Sequence, residues 1–435
     1  MAQSAGLLPV RWKKLLEKIK KENGFFPGLK ESGCYVGALE SLRARRLVKR
    51  NNKGMYSLSE AGEAVLEEEN GQGVLYKMTQ QSAILEDIRA ETVKREKLLQ
   101  QRLRQPRVVG KEGFRNIFIV AKLWNSATPI FPPLGASYVQ SPNVGGGYVL
   151  LWEDKCFCID PGLNFLTKFY DRKLTPNDID TIVVTHDHLD HTRDVEGLLS
   201  LLFELYSGRK KGTGGKVVDF LASQGTLTKY KRLLDAGVRY GYLNPIQMRP
   251  AQSIMLPNWG DNIAIHVTRA IHQELFGNSP VGLVFELRLR RCIRSFKLAI
   301  TGDTAWSPEL YSGFSGADLL IAHIGTIEKK DSQFLEGHLG LKGLGLLISG
   351  VRPKLAIVTE FGEEVGEKRF QLCRTLSKIV DCPVLPGEME TEIRISNPRH
   401  RNWKLEGRIG GKPFEPIASF IKEVYSMGGI KEDES

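Results

Sequence analysis

The chain has 435 residues, 41% of them hydrophobic and 26% charged, too long for one ordinary core, so two or three domains of about 100–250 residues are expected. Its longest apolar runs, such as Thr181–Val184 and residues 354–358, are strand-length, far short of the ~20 apolar residues of a membrane span. The start, Met1-Ala-Gln-Ser and then a basic stretch over 11–21, has no apolar leader core, and a cytoplasmic protein is expected.

The net charge of +11 is uneven, since residues 1–107 carry 21 Lys and Arg against 13 Asp and Glu. A polyanion is the natural partner of that end. Six scattered cysteines, Cys34, Cys156, Cys158, Cys292, Cys373 and Cys382, predict reduced thiols rather than a disulfide framework. Cys156 and Cys158 read as packing residues on one face of a strand, because a structural zinc would need a second ligand pair close by.

In chain order, the front reads as helix, helix, helix and a two-stranded wing. Leu8, Trp12, Leu15, Leu16 and Ile19 give residues 7–22 a helical period that Asn23-Gly24 ends, and Val36, Leu39, Leu42 and Leu47 repeat it over 34–49. Residues 47–50, the turn Asn51-Asn52-Lys53-Gly54 and residues 55–58 form a hairpin. A helix capped by Ser59, with Glu63 in register, follows.

The stretch ALESLRARRLVKRNNKGMYSLSEAGEAVL resembles the winged helix-turn-helix module of bacterial regulators, over about residues 7–69. The resemblance implies that Arg43, Arg45 and Arg46 lie on or just after a recognition helix. Lys49, Arg50 and Lys53 would lie on the wing, and all six would meet DNA or RNA phosphates. Protein docking is the other use of such modules.

The domain division expected is a winged helix over 1–75, a helical linker over 76–107, an α/β domain over 108–396, and an extension over 397–435 with a polar tail at 431–435. In the linker, Ile84, Leu85, Ile88, Leu98, Leu99 and Leu103 make an incomplete heptad stripe, fitting a spacer or a dimerising helix. From about residue 108, short apolar strands alternate with helical stretches and Gly-rich turns, the pattern of a mixed α/β domain.

The strand Thr181–Val184 runs into His186-Asp187-His188-Leu189-Asp190-His191. Residues two apart on an extended loop project to one side, so His186 and His188 can clasp one cation while Asp190 and His191, entering a helix, face a second. Imidazole with carboxylate suits Zn²⁺, with Mn²⁺ or Fe²⁺ possible at the same donors.

This H-x-H-x-D-H resembles the signature of the metallo-β-lactamase superfamily, and later landmarks follow in the family's order, covering roughly residues 108–395. The resemblance implies an αββα sandwich preceded here by the small winged-helix domain and the helical linker. Asp160 matches the family's first acidic position, supporting the cluster from behind its ligands. His272 would complete the trio of the first metal, Asp303 would bridge the two, and His338 would be an outer ligand of the second. Five of the chain's eight histidines fall on these positions. His266, mid-strand, reads as a structural histidine.

The implied activity is hydrolysis by a metal-bridging hydroxide, most readily of a phosphodiester in a nucleic acid or nucleotide. Asp190 is then a catalytic residue as well as a ligand, and His323, near a position where ribonuclease Z relatives carry a histidine, would act as acid to the leaving oxygen. Only 30 residues separate His272 from Asp303, too few for the tRNA-gripping arm many ribonuclease Z proteins insert there. Gly208-Arg-Lys-Lys-Gly212 and Arg288, Arg290, Arg291 and Arg294 are candidate phosphate contacts or guarded edges. Two alternatives stay open: hydrolysis of a lactone or other carboxylic ester, and a DNA-binding regulator with a metal-binding sensor domain.

Overall fold

The structure, a computed structural model, describes residues 10–22, 32–67, 83–103, 114–119, 146–206, 216–289, 292, 294–325, 327–328, 334–362, 365, 368–388, 390–396 and 402–429. The basic stretch 208–212, Arg290, Arg291, Asn23-Gly24 and the tail 431–435 lie outside the described residues. The chain forms two compact units, 1–104 and 105–435.

In the first unit, helices Val10–Lys21 and Ser32–Ala44 pack against the hairpin Val48–Arg50/Tyr56–Leu58, followed by the helix Glu60–Glu67. Leu15, Leu16, Ile19, Leu39, Leu42, Val48 and Tyr56 are its core. The second helix stops at Ala44, short of the expected residue 49, because Arg46 turns to φ 60° and the Leu47 amide bonds back to the Leu42 carbonyl at 2.9 Å. That turn frees the next residues to pair as a strand. Asn51 Oδ1 accepts from the amides of Lys53 and Met55, each at 3.0 Å, and fixes the hairpin turn. Ser59 Oγ accepts from the Gly62 amide at 3.1 Å, the expected helix cap.

Arg43, Arg45, Arg46, Lys49, Arg50 and Lys53 are all exposed. Arg43 pairs with Glu40 at 3.3 Å, and Arg45 lies 5.0 Å from the Trp12 ring centroid. A long helix occupies Ala83–Leu103, with Ile88, Val93 and Leu98 exposed along it.

The second unit is built on two sheets. One has nine strands among the described residues, in the order Glu415–Pro416, Lys404–Ile409, Thr391–Ser396, Phe114–Ile119, Tyr148–Glu153, Lys155–Ile159, Thr181–Val184, Val218–Ala222 and Leu243–Gln247. The other has seven: Val384–Pro386, Leu355–Thr359, Leu319–His323, Phe296–Ile300, Val281–Leu287, Ile263–Arg269 and Ser253–Ile254. Each sheet changes from antiparallel to parallel pairing partway across: the first from Lys155–Ile159 onward, the second from Phe296–Ile300 onward.

The parallel strands Thr181–Val184, Val218–Ala222, Leu319–His323 and Leu355–Thr359 are buried along their whole length. That is why they read as unbroken apolar runs rather than alternating ones. One core lies between the sheets: Phe157 meets Trp259 and Phe285 edge-on, with ring centroids 5.3 and 5.7 Å away. A second core packs helices Leu341–Val351 and Arg369–Val380 onto the outer face of the seven-stranded sheet. On the nine-stranded sheet's side, helices Phe165–Asp171 and Val195–Tyr206 bury Phe165, Phe169, Leu198 and Leu202. This is a mixed α/β architecture of two facing sheets with helices on their outer sides. Cys156 and Cys158 are buried strand residues with free thiols. Among the described residues no helix is long and apolar enough to cross a membrane.

Candidate metal centre

Parallel strands from the two sheets deliver their carboxyl ends to one place, where the backbone must leave the sheet and ligands gather. In the nine-stranded sheet the loop after Lys155–Ile159 carries Asp160, and the loop after Thr181–Val184 carries His186 to His191. In the other sheet, Phe296–Ile300 leads to Asp303, Leu319–His323 ends in His323, and Leu355–Thr359 leads to Glu360. Asp160 and Glu360 turn with φ 47° and 60°, and Gly302 supplies φ 60° before Asp303. Gly162 lets the Asp160 turn press on the histidine loop, since a Cβ there would stand 1.6 Å from the Asp190 carbonyl.

Asp303 Oδ2 is the centre of the arrangement. Imidazole nitrogens of His191, His186, His338 and His272 stand 3.5, 3.7, 3.7 and 3.9 Å from it. Two groups of four donors share Asp303: His186, His188 and His272 with it on one side, and His191, His323 and Glu360 with it on the other, each group within 4.8 Å. Asp190 Oδ2 lies 3.6 Å from His191 Nε2, and Asp190 is buried. His338, 36% exposed, meets the His272 ring edge-on with ring centroids 4.7 Å apart, on the open side.

Behind the donors is a hydrogen-bonded frame. Asp160 accepts from the Thr185 amide at 2.7 Å, the Thr185 hydroxyl at 2.8 Å and His191 Nδ1 at 3.0 Å. An ionised carboxylate only accepts, so His191 carries its proton on Nδ1 and turns a bare Nε2 toward Asp303. His272 Nδ1 donates to the Gly337 carbonyl at 2.6 Å and is oriented the same way. His323 Nδ1 lies 3.0 Å from Asp303 Oδ1 and 2.9 Å from Glu360 Oε1, and its Nε2 meets the Tyr148 hydroxyl at 2.8 Å. Tyr148 in turn bonds Thr359 Oγ1 at 2.8 Å.

Burial holds the His186 imidazole far below its ordinary pKa, with His191 beside it adding to the effect, and burial likewise lowers His188 and His272. Neutral imidazoles are the form that binds a metal. Burial alone would raise the Asp303 pKa, but His191, His323 and His186 outweigh it and keep the carboxylate well below the usual range. Burial pulls the His323 pKa down, but Glu360 and Asp303 together overcome it and raise it above the ordinary imidazole value.

The donor set fits divalent cations. The buried Nε2 of His186 has no hydrogen-bond partner among the described residues, and a stranded buried polar atom costs about 1–3 kcal/mol. The nitrogens around Asp303 Oδ2 converge at 3.5–3.9 Å, beyond hydrogen-bond length, as donors do when a cation is to sit among them.

All seven ligand residues expected from the sequence, together with Asp160, gather here, with His338 and Asp190 flanking the two four-donor groups. His323 is 2% exposed, with both ring nitrogens engaged. His266 bonds Ser253 Oγ at 2.7 Å and Glu286 at 2.9 Å, as a structural strand histidine does. Arg288 and Arg294 pair with Glu286 at 2.8 Å and Asp318 at 3.2 Å, so both are held by carboxylates of their own sheet. Sequence reasoning missed Glu360, Tyr148 and Asp187. The available signal for Glu360 was an acidic residue directly after a buried apolar strand, the same pattern that marked Asp160.

Residues 156–361 match the model of the Beta-lactamase superfamily domain. An uncharacterized protein of Methanocaldococcus jannaschii is 21% identical over 265 residues, 60% of this chain and 92% of that protein. The metallo-β-lactamase fold protein YhfI from Bacillus subtilis aligns with TM-score 0.47 and 14% identity over 64% of this chain and 98% of its own. A diphosphatase from the PhnP family aligns with TM-score 0.46 and 16% identity over 65% of this chain and 98% of its own.

Proposed function

We propose that this chain, which carries a metallo-β-lactamase superfamily domain, is a binuclear metal-dependent hydrolase acting on a phosphodiester. The carrying observation is Asp303 Oδ2 standing 3.5–3.9 Å from four imidazole nitrogens that arrive from both sides. His186, His188 and His272 would hold one ion, Asp190, His191 and His338 the other, and Asp303 would lie between them. Zn²⁺ suits these donors best, with Mn²⁺ or Fe²⁺ accepted by the same set. When bound, such ions supply Lewis acidity and a lowered pKa for water.

The chain's own residues prepare that chemistry. Asp160 fixes the His191 tautomer, and the Gly337 carbonyl fixes that of His272. His323, itself held by Glu360, holds Asp303 Oδ1 from behind, so its Oδ2 stays directed into the cluster. The burial of His323 supports this positioning role in place of proton donation to a leaving group. In the first unit, exposed Arg43, Arg45, Arg46, Lys49, Arg50 and Lys53 around a hairpin support a winged-helix contact with nucleic acid.

The test is metal content by elemental mass spectrometry on wild type and Asp303→Ala, with turnover of bis(p-nitrophenyl) phosphate and of a simple lactone. About two equivalents of metal with phosphodiester turnover, both lost in the variant, is the expected result. Lactone turnover alone moves the reaction to carboxylic esters. A metal-replete preparation that binds no metal and turns over neither substrate refutes the hydrolase.

A further inference from the structure

One flank of the metal loop bears a cleft that nothing in the chemistry above uses. It is open, about 730 Å³, and lined by Leu189, Arg193, Glu196, Lys229, Lys231 and Arg232 among others. Four cations face one carboxylate. Lys231 is paired with Asp235 at 3.0 Å, and Lys229 donates to the Asp187 carbonyl and Thr192 Oγ1, each at 2.7 Å. Arg193 and Arg232 are exposed, and their guanidinium groups make no ion pair with a described residue.

Asp187 ties this cleft to a second surface. Its side chain, between the ligands His186 and His188 in the chain, accepts from the amides of Leu275 and Phe276, at 2.9 and 2.6 Å. Leu275 and Phe276 are held there 69% and 54% exposed, although solvated apolar side chains gain nothing from such anchoring. Ile271, in the same loop, and Leu189, between the ligands His188 and Asp190, are 41% and 40% exposed. The helix Gln224–Lys229 underlies both surfaces: Gly225 packs so tightly on Gly277 that a Cβ on Gly277 would stand 2.5 Å from the Gly225 amide nitrogen. Cations beside an apolar, aromatic-bearing edge are the two components of a single-strand site, one for the phosphates and one for the base faces.

We infer that the cleft and the Leu275–Phe276 edge form a groove for a nucleic-acid strand, in which Arg193 and Arg232 take phosphates next to the scissile one and Phe276 offers a face to a base. The inference rests on the phosphodiester reading of the metal centre and specifies its substrate as polymeric rather than a lone nucleotide. Neither arginine touches the reacting atoms. They position the strand.

The experiment uses the full-length, metal-replete chain and measures inhibition of bis(p-nitrophenyl) phosphate hydrolysis by a single-stranded decanucleotide across a salt series. Inhibition reports binding at the metal centre, so a strand held only by the first unit does not register. Wild type is compared with an Arg193→Gln/Arg232→Gln double variant, with Phe276→Ala, and with Arg239→Gln, a control on the exposed end of the helix Lys231–Tyr240. Metal content is measured for each.

Losing two phosphate contacts is expected to raise Ki at least tenfold at low salt and to flatten the log–log salt slope by about 1.4. Phe276→Ala is expected to raise Ki about tenfold without changing the slope. An unchanged Ki and slope in the double variant, with metal retained, overturns the groove. So does an equal change in Arg239→Gln. Absence of small-substrate turnover in the wild type removes the phosphodiester reading instead, and the salt slope of fluorescence anisotropy with the labelled strand then reads the same arginines.

Discussion

Asp160→Asn separates what orients the metal centre from what forms it. The carboxylate takes three donors on two oxygens: the Thr185 amide on Oδ1, and both the Thr185 hydroxyl and His191 Nδ1 on Oδ2. An asparagine whose oxygen stays on the Thr185 amide presents an NH₂ group to the other two. The hydroxyl can rotate and accept. The imidazole accepts only by moving its proton to Nε2, the nitrogen 3.5 Å from Asp303 Oδ2, which then has no lone pair for a cation. Loss of a ligand-orienting partner of this kind typically costs 10–100-fold in metal affinity, or about 1.4–2.7 kcal/mol.

The assay is competitive titration of the apoprotein with Zn²⁺ against a chromophoric chelator, resolving the two binding events. The site containing His191 is expected to weaken by that factor while the site of His186, His188 and His272 changes by less than threefold. Two sites both within twofold of wild type would show that Asp160 does not set the His191 tautomer.

Further outcomes follow from the same geometry. Chelation of an occupied centre held at about 1,000 times its Kd should remove about 4 kcal/mol from the stability of the unit 105–435, a fall of about 6 °C in Tm by differential scanning calorimetry. Glu360→Gln should keep the first metal and weaken the second about tenfold by the same titration, because its carboxylate faces both His191 and His323, at 3.5 and 2.9 Å. Equal loss of both metals would contradict that role. Burial works against ionising Glu286, but bonds from His266 and Arg288 prevail and lower its pKa to about 2. A depressed carboxylate stabilises the fold above its unfolded pKa, near 4.5, and that contribution is lost as pH falls toward 2. The Tm gap between wild type and Glu286→Gln should therefore narrow from pH 5 downward, and a gap that widens would refute the assignment.

The donor-bearing loop was legible in the sequence because His186, His188, Asp190 and His191 fall within six positions, and Asp160, His272 and Asp303 were placed by the order of landmarks that the resemblance implies. Glu360 closes an apolar run, but an acid after a strand is also an ordinary turn residue, and only the pairing of Leu319–His323 with Leu355–Thr359 brings it beside His323. Tyr148 lies 175 positions before its partner His323, and no local pattern carries such a contact. Asp187 carried no reading of its own, because its role lies in amides 88 and 89 positions away. In the first unit the periodicity located both helices, whereas the end of the second depended on the left-handed turn at Arg46, which propensity does not foretell.

The centre draws His186 and His191 from one sheet and Asp303 and Glu360 from the other, so its dimensions are set by how far apart the sheets are held. That spacing belongs to side chains such as Phe157 and Phe285, whose rings meet at 5.7 Å between the layers. Interiors are packed too densely for the layers to adjust independently. Thinning this filling, for example by Phe285→Leu, would bring the two halves of the ligand set out of register by fractions of an ångström while most of the fold's stability survived. Metal affinity would then fall well before the protein unfolds, under changes that touch none of the donor residues.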